Sequence, residues 1–239
     1  MKILLINGSP KGERSNSLQI ANAFVKGIEE ETDIELETIH LREKRILQCM
    51  GCFSCWKNAS HRCVLQDDMV SILPFIVHAD IIIYCFPLYS FSLPAILKNM
   101  IDRTLPLYEP SMTDRKDGCG NGAHKCRYDL SKQRTVLIST CGFYTSKGNY
   151  ESVKSMFDLL KGKGNYFSIF VGQGELFSVP PLKAITDRYL NIVCDAGTEF
   201  ARGGVSEQTK ESLSIPLFPK EEFERMADAS WGDSSPIAS

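Results

Sequence analysis

The stretch KILLINGSPKGERSNS, residues 2–17, decides how this chain folds. It begins with an apolar run of strand length at Lys2–Asn7 and continues through a loop rich in Gly and Ser. Apolar residues then recur at helical spacing. A buried strand that passes through a short loop into a helix is the opening unit of an open α/β sheet. The stretch therefore predicts that strands and helices alternate along the rest of the chain.

The rest of the chain follows that alternation. Three more apolar runs of strand length lie at 80–86, 135–140 and 166–172, and a more polar run at 34–41 is predicted at a sheet edge. Strands that are apolar on both faces belong to parallel sheets covered by helices. Helical patterns fall between and after these runs, at 18–28, 67–78, 93–101, 150–161 and 182–200. The order predicts an α/β fold with a doubly wound, five-stranded parallel sheet and helices on both faces.

Composition excludes several classes of protein. The chain has 239 residues, 43% hydrophobic and 23% charged, which is typical of a globular protein rather than a disordered one. A net charge of −2 without a basic block predicts neither a nucleic-acid partner nor a membrane surface. The first residues lack a signal-peptide pattern, so we expect a cytoplasmic protein. In a reducing cytosol, cysteines indicate metal binding or thiol chemistry more than disulfides.

The loop after the first strand is suited to an anion. Backbone N–H groups and the positive end of a helix are available at this position of an open α/β sheet. The loop has neither the G-x-G-x-x-G pattern of dinucleotide sites nor the G-x4-G-K-[ST] pattern of nucleoside-triphosphate sites. Its neutral and charged donors suit a compact phosphate monoester such as that of FMN: Ser9, Lys11, Arg14, Ser15, Asn16 and Ser17. The alternative is that residues 15–17 only form a turn and a helix cap.

Two further loops follow predicted strands, PLYSFSLP at 87–94 and STCGFY at 139–144. Their aromatic residues and the amides near Gly142 offer the stacking surface and edge hydrogen bonds that a planar polar heterocycle needs. The alternative is that these aromatics only cap the core. Three loops at successive sheet positions favour one shared ligand site.

Four pieces together resemble a known family: NGSPKGERSNS, CMGCFSCW…CVLQDDM, ADIIIYCFPLYSFSLPAILKNMIDR and ISTCGFY. They resemble the NAD(P)H-dependent FMN reductase and iron–sulfur flavoprotein branch of the flavodoxin-like superfamily. The resemblance implies the flavodoxin-like strand order 2-1-3-4-5 and FMN between the three loops. The FMN-binding residues that it implies are Ser9, Lys11, Ser15, Asn16, Ser17, Pro87, Leu88, Tyr89, Ser90, Thr140, Cys141 and Gly142. In LKNMIDR we interpret Lys98, Asp102 and Arg103 as structural ion-pair residues.

The resemblance also implies an activity. We expect an FMN-dependent oxidoreductase in which NAD(P)H is a transient co-substrate and the acceptor is a small molecule or a protein. The flavin carries the chemistry, so no side chain is predicted to be catalytic. A homodimer or homotetramer is expected. The alternatives are a non-enzymatic flavodoxin-like electron carrier, and a thiol redox sensor that uses the cysteines at 49–63.

Four cysteines fall within CMGCFSCWKNASHRC, residues 49–63, with the spacing C-x2-C-x2-C-x7-C. This spacing is similar to a ferredoxin-type run, although Val64 stands where such a run has proline. In the family, the motif is the ligand set of a [4Fe–4S] cluster, which implies Cys49, Cys52, Cys55 and Cys63 as ligands. Zinc bound by four thiolates, and thiols without metal, stay open as alternatives.

The other cysteines carry weaker predictions. Cys85 and Cys194 are predicted to pack in the core, and Cys141 to lie beside the flavin. Cys119, His124 and Cys126 supply only three candidate ligands for a second metal site, so a surface hairpin is favoured.

Two regions depart from the alternation of strands and helices. Residues 104–134 are a polar, Gly-rich insertion, predicted to be a lid, a binding loop or an oligomer contact. Residues 205–239 form a C-terminal extension that we expect to pack over the domain or a partner subunit, with residues 233–239 frayed. The predicted FMN-binding domain, which includes the insertion, therefore spans residues 1–204.

Overall fold

The computed structural model describes residues 1–120 and 122–232, so the prediction for 233–239 lies outside the described residues. Within them, the strands are β1 Lys2–Asn7, β2 Glu35–His40, β3 Ile81–Pro87, β4 Tyr108–Thr113, β5 Ala123–Cys126, β6 Arg134–Thr140 and β7 Phe167–Val171. The helices are α1 Asn16–Glu29, α2 Ser54–Lys57, α3 Met69–His78, α4 Ala95–Asp102, α5 Glu151–Lys161, α6 Lys183–Ala201, α7 Glu207–Ser214 and α8 Lys220–Trp231.

Five strands form one sheet in the order β2-β1-β3-β6-β7, and each neighbouring pair is parallel. The prediction of an α/β fold with a five-stranded parallel sheet is confirmed. With the two strands of the insertion set aside, the order agrees with 2-1-3-4-5. The central strands are buried along almost their whole length because helices cover both faces. The more polar β2 lies at the edge, as its sequence predicted.

The helices form two layers. α1 and α6 share one hydrophobic core with one face of the sheet, and α3, α4 and α5 share a second core with the other face. α1 and α6 approach closely because both carry glycine at the crossing. A Cβ atom at Gly27 would lie 2.8 Å from the backbone nitrogen of Thr198, and a Cβ at Gly197 would lie 3.2 Å from the Cα of Gly27. The Thr198 hydroxyl donates to the Gly27 carbonyl oxygen at 3.1 Å across this contact.

The insertion forms an antiparallel hairpin of β4 and β5. The His124 ring lies 4.9 Å from the Trp56 ring, so the hairpin contacts the segment that carries the four cysteines.

The C-terminal extension packs on its own chain. Leu213 on α7 is buried, and the buried Gln173 exchanges two 2.9 Å hydrogen bonds with the backbone of Phe218. In the described part of the chain, no helix is both long enough and apolar enough to cross a membrane.

Candidate active site

A groove of about 240 Å³ opens at the carboxyl edge of the sheet, beside the ends of β1, β3 and β6. In open α/β sheets ligands bind at this edge, where the strand order reverses. Eleven of the twelve residues implied for FMN line it: Ser9, Lys11, Ser15, Asn16, Ser17, Pro87, Leu88, Tyr89, Thr140, Cys141 and Gly142. Ser90 does not line the groove. Gly174 and Glu175, in the loop after β7, complete the lining, and neither was predicted from the sequence.

The N-terminus of α1 forms one end of the groove. Ser15 caps the helix by accepting a 3.3 Å hydrogen bond from the Leu18 N–H, and its hydroxyl lies 2.8 Å from that of Ser17. Both hydroxyls belong to buried residues. Among the described residues, the backbone N–H groups of Asn16 and Ser17 have no acceptor. This end therefore offers two hydroxyls, two N–H groups and a positive helix terminus to an anion.

Asn7, at the end of β1, shapes the loop that leads into α1. Its side-chain oxygen accepts a 3.0 Å hydrogen bond from the Ser9 N–H, and its amide donates to the Gly12 carbonyl oxygen at 2.9 Å. Asn7 is fully buried, and its amide nitrogen also lies 3.1 Å from Nδ1 of His40. Asn7 therefore fixes the conformation of the loop although it does not itself line the groove.

Asn16 joins two loops that are far apart in the sequence. Its amide donates a 2.7 Å hydrogen bond to the carbonyl oxygen of Gly174, in the loop after β7. Its Oδ1 atom is buried and has no hydrogen-bond partner among residues 1–120 and 122–232. A buried polar atom without a partner is costly, and here it lies in a residue that lines the groove. The observation fits a bound group with a donor or a bridging water at this place.

The loop after β6 forms the opposite wall. Burial raises the pKa of the Cys141 thiol, which is 5% exposed. The Cys141 backbone N–H donates to the Val171 carbonyl oxygen at 2.9 Å, and its own carbonyl accepts from Gly174 at 2.9 Å. A Cβ at Gly174 would lie 2.7 Å from Cβ of Thr140, so only glycine allows this approach of the two loops.

The loop after β3 contains a strained turn. Tyr89 and Ser92 exchange backbone hydrogen bonds of 3.0 and 2.9 Å, and the two residues between them are left-handed, with φ of 47° at Ser90 and 59° at Phe91. Such φ values are unfavourable for residues other than glycine. The turn places the Phe91 ring on that of Phe143, with centroids 5.5 Å apart and a 14° angle between the rings. A half-exposed aromatic pair therefore lies across two of the loops that line the groove.

The cysteine segment lies after β2, and its four cysteines line one small cavity together with Arg103. Cys49 and Cys52 are exposed, whereas Cys55 is buried. Burial, and then the neighbouring Cys63, raise the pKa of the Cys55 thiol. In the described residues, no three His, Cys, Asp or Glu side chains are placed to hold a metal ion. Four cysteines that line one cavity nevertheless supply the donor chemistry that an iron–sulfur cluster or zinc requires.

Arg103 is one of the largest buried side chains in the described part of the chain, at 2% exposure. It forms a salt bridge with Asp67 at 2.6 Å, in which both side chains are inaccessible to solvent. Its Nη2 donates to Sγ of Cys63 at 3.5 Å. Burial raises the pKa of Asp67, but hydrogen bonds from Arg103 and from the backbone outweigh it and hold this pKa below its usual value. By contrast, Lys98 and Asp102 form an exposed i,i+4 pair.

The remaining cysteines are separate from both sites. Cys85 is buried in β3, as predicted, whereas Cys194 on α6, which was also predicted to pack in the core, is only half-buried. Cys126 donates its S–H to the Leu107 carbonyl oxygen at 3.4 Å, within the hairpin. Cys119, His124 and Cys126 do not form a metal site in the described structure.

Comparisons with known proteins find similar sequences and similar folds. The family described as NADPH-dependent FMN reductase matches residues 1–122. An iron–sulfur flavoprotein of Archaeoglobus fulgidus is 32% identical over 119 residues, which cover 49% of this chain and 52% of that protein. An iron–sulfur flavoprotein of Methanocaldococcus jannaschii is 37% identical over 107 residues, which cover 45% of this chain and 53% of that protein. The chain thus spans about half the length of the curated relatives it matches.

Among solved structures, an FMN-dependent NADH-azoreductase of Bacillus anthracis in complex with FMN superposes with a TM-score of 0.59. The match covers 84% of this chain and 99% of that protein at 20% identity. At this identity, the likeness shows the fold.

Proposed function

The chain belongs to the NADPH-dependent FMN reductase family, and on this premise we propose that it is an FMN-dependent oxidoreductase with a flavodoxin-like fold. It takes electrons from NAD(P)H and passes them to a small-molecule or protein acceptor. One observation carries the proposal: eleven of the twelve residues implied for FMN line a single groove at the carboxyl edge of the sheet.

The phosphate of FMN is assigned to the N-terminus of α1. Ser15 and Ser17 offer hydroxyls there, and the free N–H groups of Asn16 and Ser17 point out of the helix end. Lys11 lines the same groove and supplies a positive charge. The unpartnered Oδ1 of Asn16 is available to a donor from the ligand or from a bridging water.

The isoalloxazine is assigned to the space between the loops after β3 and β6. When bound, FMN supplies the chemistry of hydride acceptance and electron transfer. Leu88 and Tyr89 line one side of this space, and Thr140, Cys141 and Gly142 line the other. A side chain at 142 would contact the Glu175 carboxylate, and we therefore assign the backbone of this loop, rather than a side chain at 142, to face the ring.

Further parts of the proposal rest on the resemblance. They are a [4Fe–4S] cluster held by Cys49, Cys52, Cys55 and Cys63, and a homodimer or homotetramer. A cytoplasmic location is proposed as well. The division into an FMN-binding domain at 1–204 and an extension at 205–239 belongs to the proposal as well. The four thiols that line one cavity support the cluster.

The test is to purify the protein without oxygen and to quantify flavin, iron and acid-labile sulfide on one sample. NAD(P)H oxidation is then followed with a quinone and with ferricyanide as acceptors. We expect one FMN per chain and turnover that depends on the acceptor. A protein that neither contains flavin nor takes up added FMN contradicts the proposal. FMN binding with complete inertness toward NADH and NADPH would instead favour the electron carrier.

A further inference from the structure

The Asp67–Arg103 pair holds the start of the cysteine segment. Arg103 and Asp67 meet through two hydrogen bonds of 2.6 and 3.1 Å, one from each terminal nitrogen. The same pair binds the backbone of Leu47, two residues before Cys49. The Leu47 carbonyl accepts from Arg103 at 2.6 Å, and the Leu47 N–H donates to Asp67 at 2.8 Å. Arg103 therefore has a fixed position at the entry to this segment.

Arg103 also reaches the end of the segment. Its Nη2 lies 3.5 Å from Sγ of Cys63 and donates to that sulfur. In the described residues, Cys63 is the only one of the four cysteines whose sulfur accepts a hydrogen bond from a cationic side chain. Of these four sulfurs, the guanidinium therefore contacts that of Cys63.

Stability alone does not account for this arrangement. Two charges with almost no solvent exposure gain little net stability, because the desolvation cost offsets their attraction. A fixed cation beside a sulfur has a clear effect on redox chemistry, however. Hydrogen bonds to cluster sulfurs are among the factors that set the reduction potential of an iron–sulfur centre. If the four cysteines hold a cluster, one electron taken up from reduced flavin would add negative charge at its sulfurs without forming or breaking a bond, so a cationic donor would favour the reduced state.

We propose that Arg103 is a positioning residue that holds Cys63 for the metal centre of the cysteine segment and raises the reduction potential of that centre. Asp67 fixes the guanidinium in the required orientation. The inference rests on the proposed function, and specifically on the [4Fe–4S] cluster assigned to the four cysteines.

The experiment compares Arg103→Lys with wild type, both purified without oxygen with their flavin and iron. Lysine keeps the positive charge opposite Asp67, but it lacks the planar fork that bonds Asp67, Leu47 and Cys63 together. Lys98→Met is the matched control, because Lys98 belongs to the exposed pair on α4, the helix that ends just before Arg103. Redox titration measures the iron–sulfur centre by its electron paramagnetic resonance signal and FMN by its absorbance.

For Arg103→Lys we expect the equilibrium constant for one-electron reduction of the iron–sulfur centre to fall about tenfold. This fall corresponds to a reduction potential about 59 mV lower. The potential of FMN, and both potentials in Lys98→Met, stay unchanged. The double variant Arg103→Gln with Asp67→Asn removes both charges and leaves no unpaired buried carboxylate. We expect its iron–sulfur centre to have a lower reduction potential than wild type as well. A flavin-loaded variant that loses iron without a change in thermal unfolding also supports the role at Cys63.

Three results overturn the inference. The first is that both variants retain full iron and the wild-type reduction potential. The second is that both variants lose flavin and helical structure together, which would mean that the Asp67–Arg103 pair has only a structural role. Wild type can also bind FMN and oxidise NAD(P)H without containing iron, which overturns this inference and leaves the proposed oxidoreductase standing. Wild type without flavin contradicts the proposed function itself.

Discussion

Replacing Gly27 by alanine tests the contact between α1 and α6. In an isolated helix, glycine to alanine stabilises by about 1 kcal/mol. Here the new Cβ would lie 2.8 Å from the Cys194 carbonyl carbon and 2.8 Å from the Thr198 nitrogen, both backbone atoms. Real Cβ contacts of 3.4 Å or more are ordinary, so the two helices must separate along their shared interface.

The magnitude follows from three contributions. Overpacking of this kind costs roughly 1–3 kcal/mol, and more where backbone cannot move aside. Separation also breaks the hydrogen bond between Thr198 and the Gly27 carbonyl, which contributes about 1 kcal/mol. After the gain in helix propensity of about 1 kcal/mol is subtracted, we expect a loss of about 1–3 kcal/mol in the free energy of unfolding. For a chain of this size that is a fall of roughly 2–12 °C in Tm.

Urea and thermal unfolding followed by circular dichroism measure this loss, with and without FMN. Lys26→Ala is the matched control, because Lys26 is the exposed neighbour of Gly27 on the same helix, and its side chain is 71% exposed. We expect the control to lie within about 0.5 kcal/mol of wild type. A Gly27→Ala protein as stable as wild type, or more stable, would refute the close approach of the two helices.

Three more predictions concern the groove and the thiols. Asn16→Asp loses the donor to the Gly174 carbonyl and places a carboxylate at the assigned phosphate site. FMN affinity should therefore fall at least tenfold in a fluorescence titration, and unchanged affinity would contradict the assignment. Ser90→Ala should leave FMN affinity within about twofold of wild type, because Ser90 does not line the groove, and a large loss would mean that the site extends over the turn. Burial raises the pKa of both Cys85 and Cys141. Mass spectrometry should therefore find both thiols unlabelled by iodoacetamide at pH 8 until the protein unfolds. Rapid labelling of the native protein would show instead that the two thiols are accessible.

Much of the fold was predictable because burial leaves a direct mark on the sequence. Strands covered by helices on both faces are mostly apolar, so β1, β3 and β6 were recognisable in the sequence, and β2 was recognisable as the more polar edge strand. Most of the groove was predictable for a geometric reason. The carboxyl ends of parallel strands meet at one edge, so loops that follow successive strands come together.

The features that were missed depend on contacts between distant residues. Asn16 and Gly174 are 158 positions apart, and the loop after β7 contains no cluster of hydroxyl or aromatic residues to mark it. Asp67 looked like the start of a helix, and it does accept a 3.2 Å hydrogen bond from the Met69 N–H just inside α3. Its pairing with Arg103 became visible only once α4 was placed beside the cysteine segment. Neither the contact of Asn16 with Gly174 nor that of Asp67 with Arg103 could be predicted from the local sequence pattern.

The strand order has a consequence for synthesis on the ribosome. β3 pairs with β1 along one edge and with β6 along the other. The pairing with β6 runs from Ile81 beside Arg134 to Pro87 beside Thr140. The whole insertion is translated between these two strands, which takes roughly a few seconds at about 5–20 residues per second. During that time the nascent chain exposes an apolar strand with an unpaired edge, the kind of surface that aggregates or recruits chaperones. The early folding of the insertion into its own hairpin would shorten the distance that β6 must search, and so the lifetime of that edge.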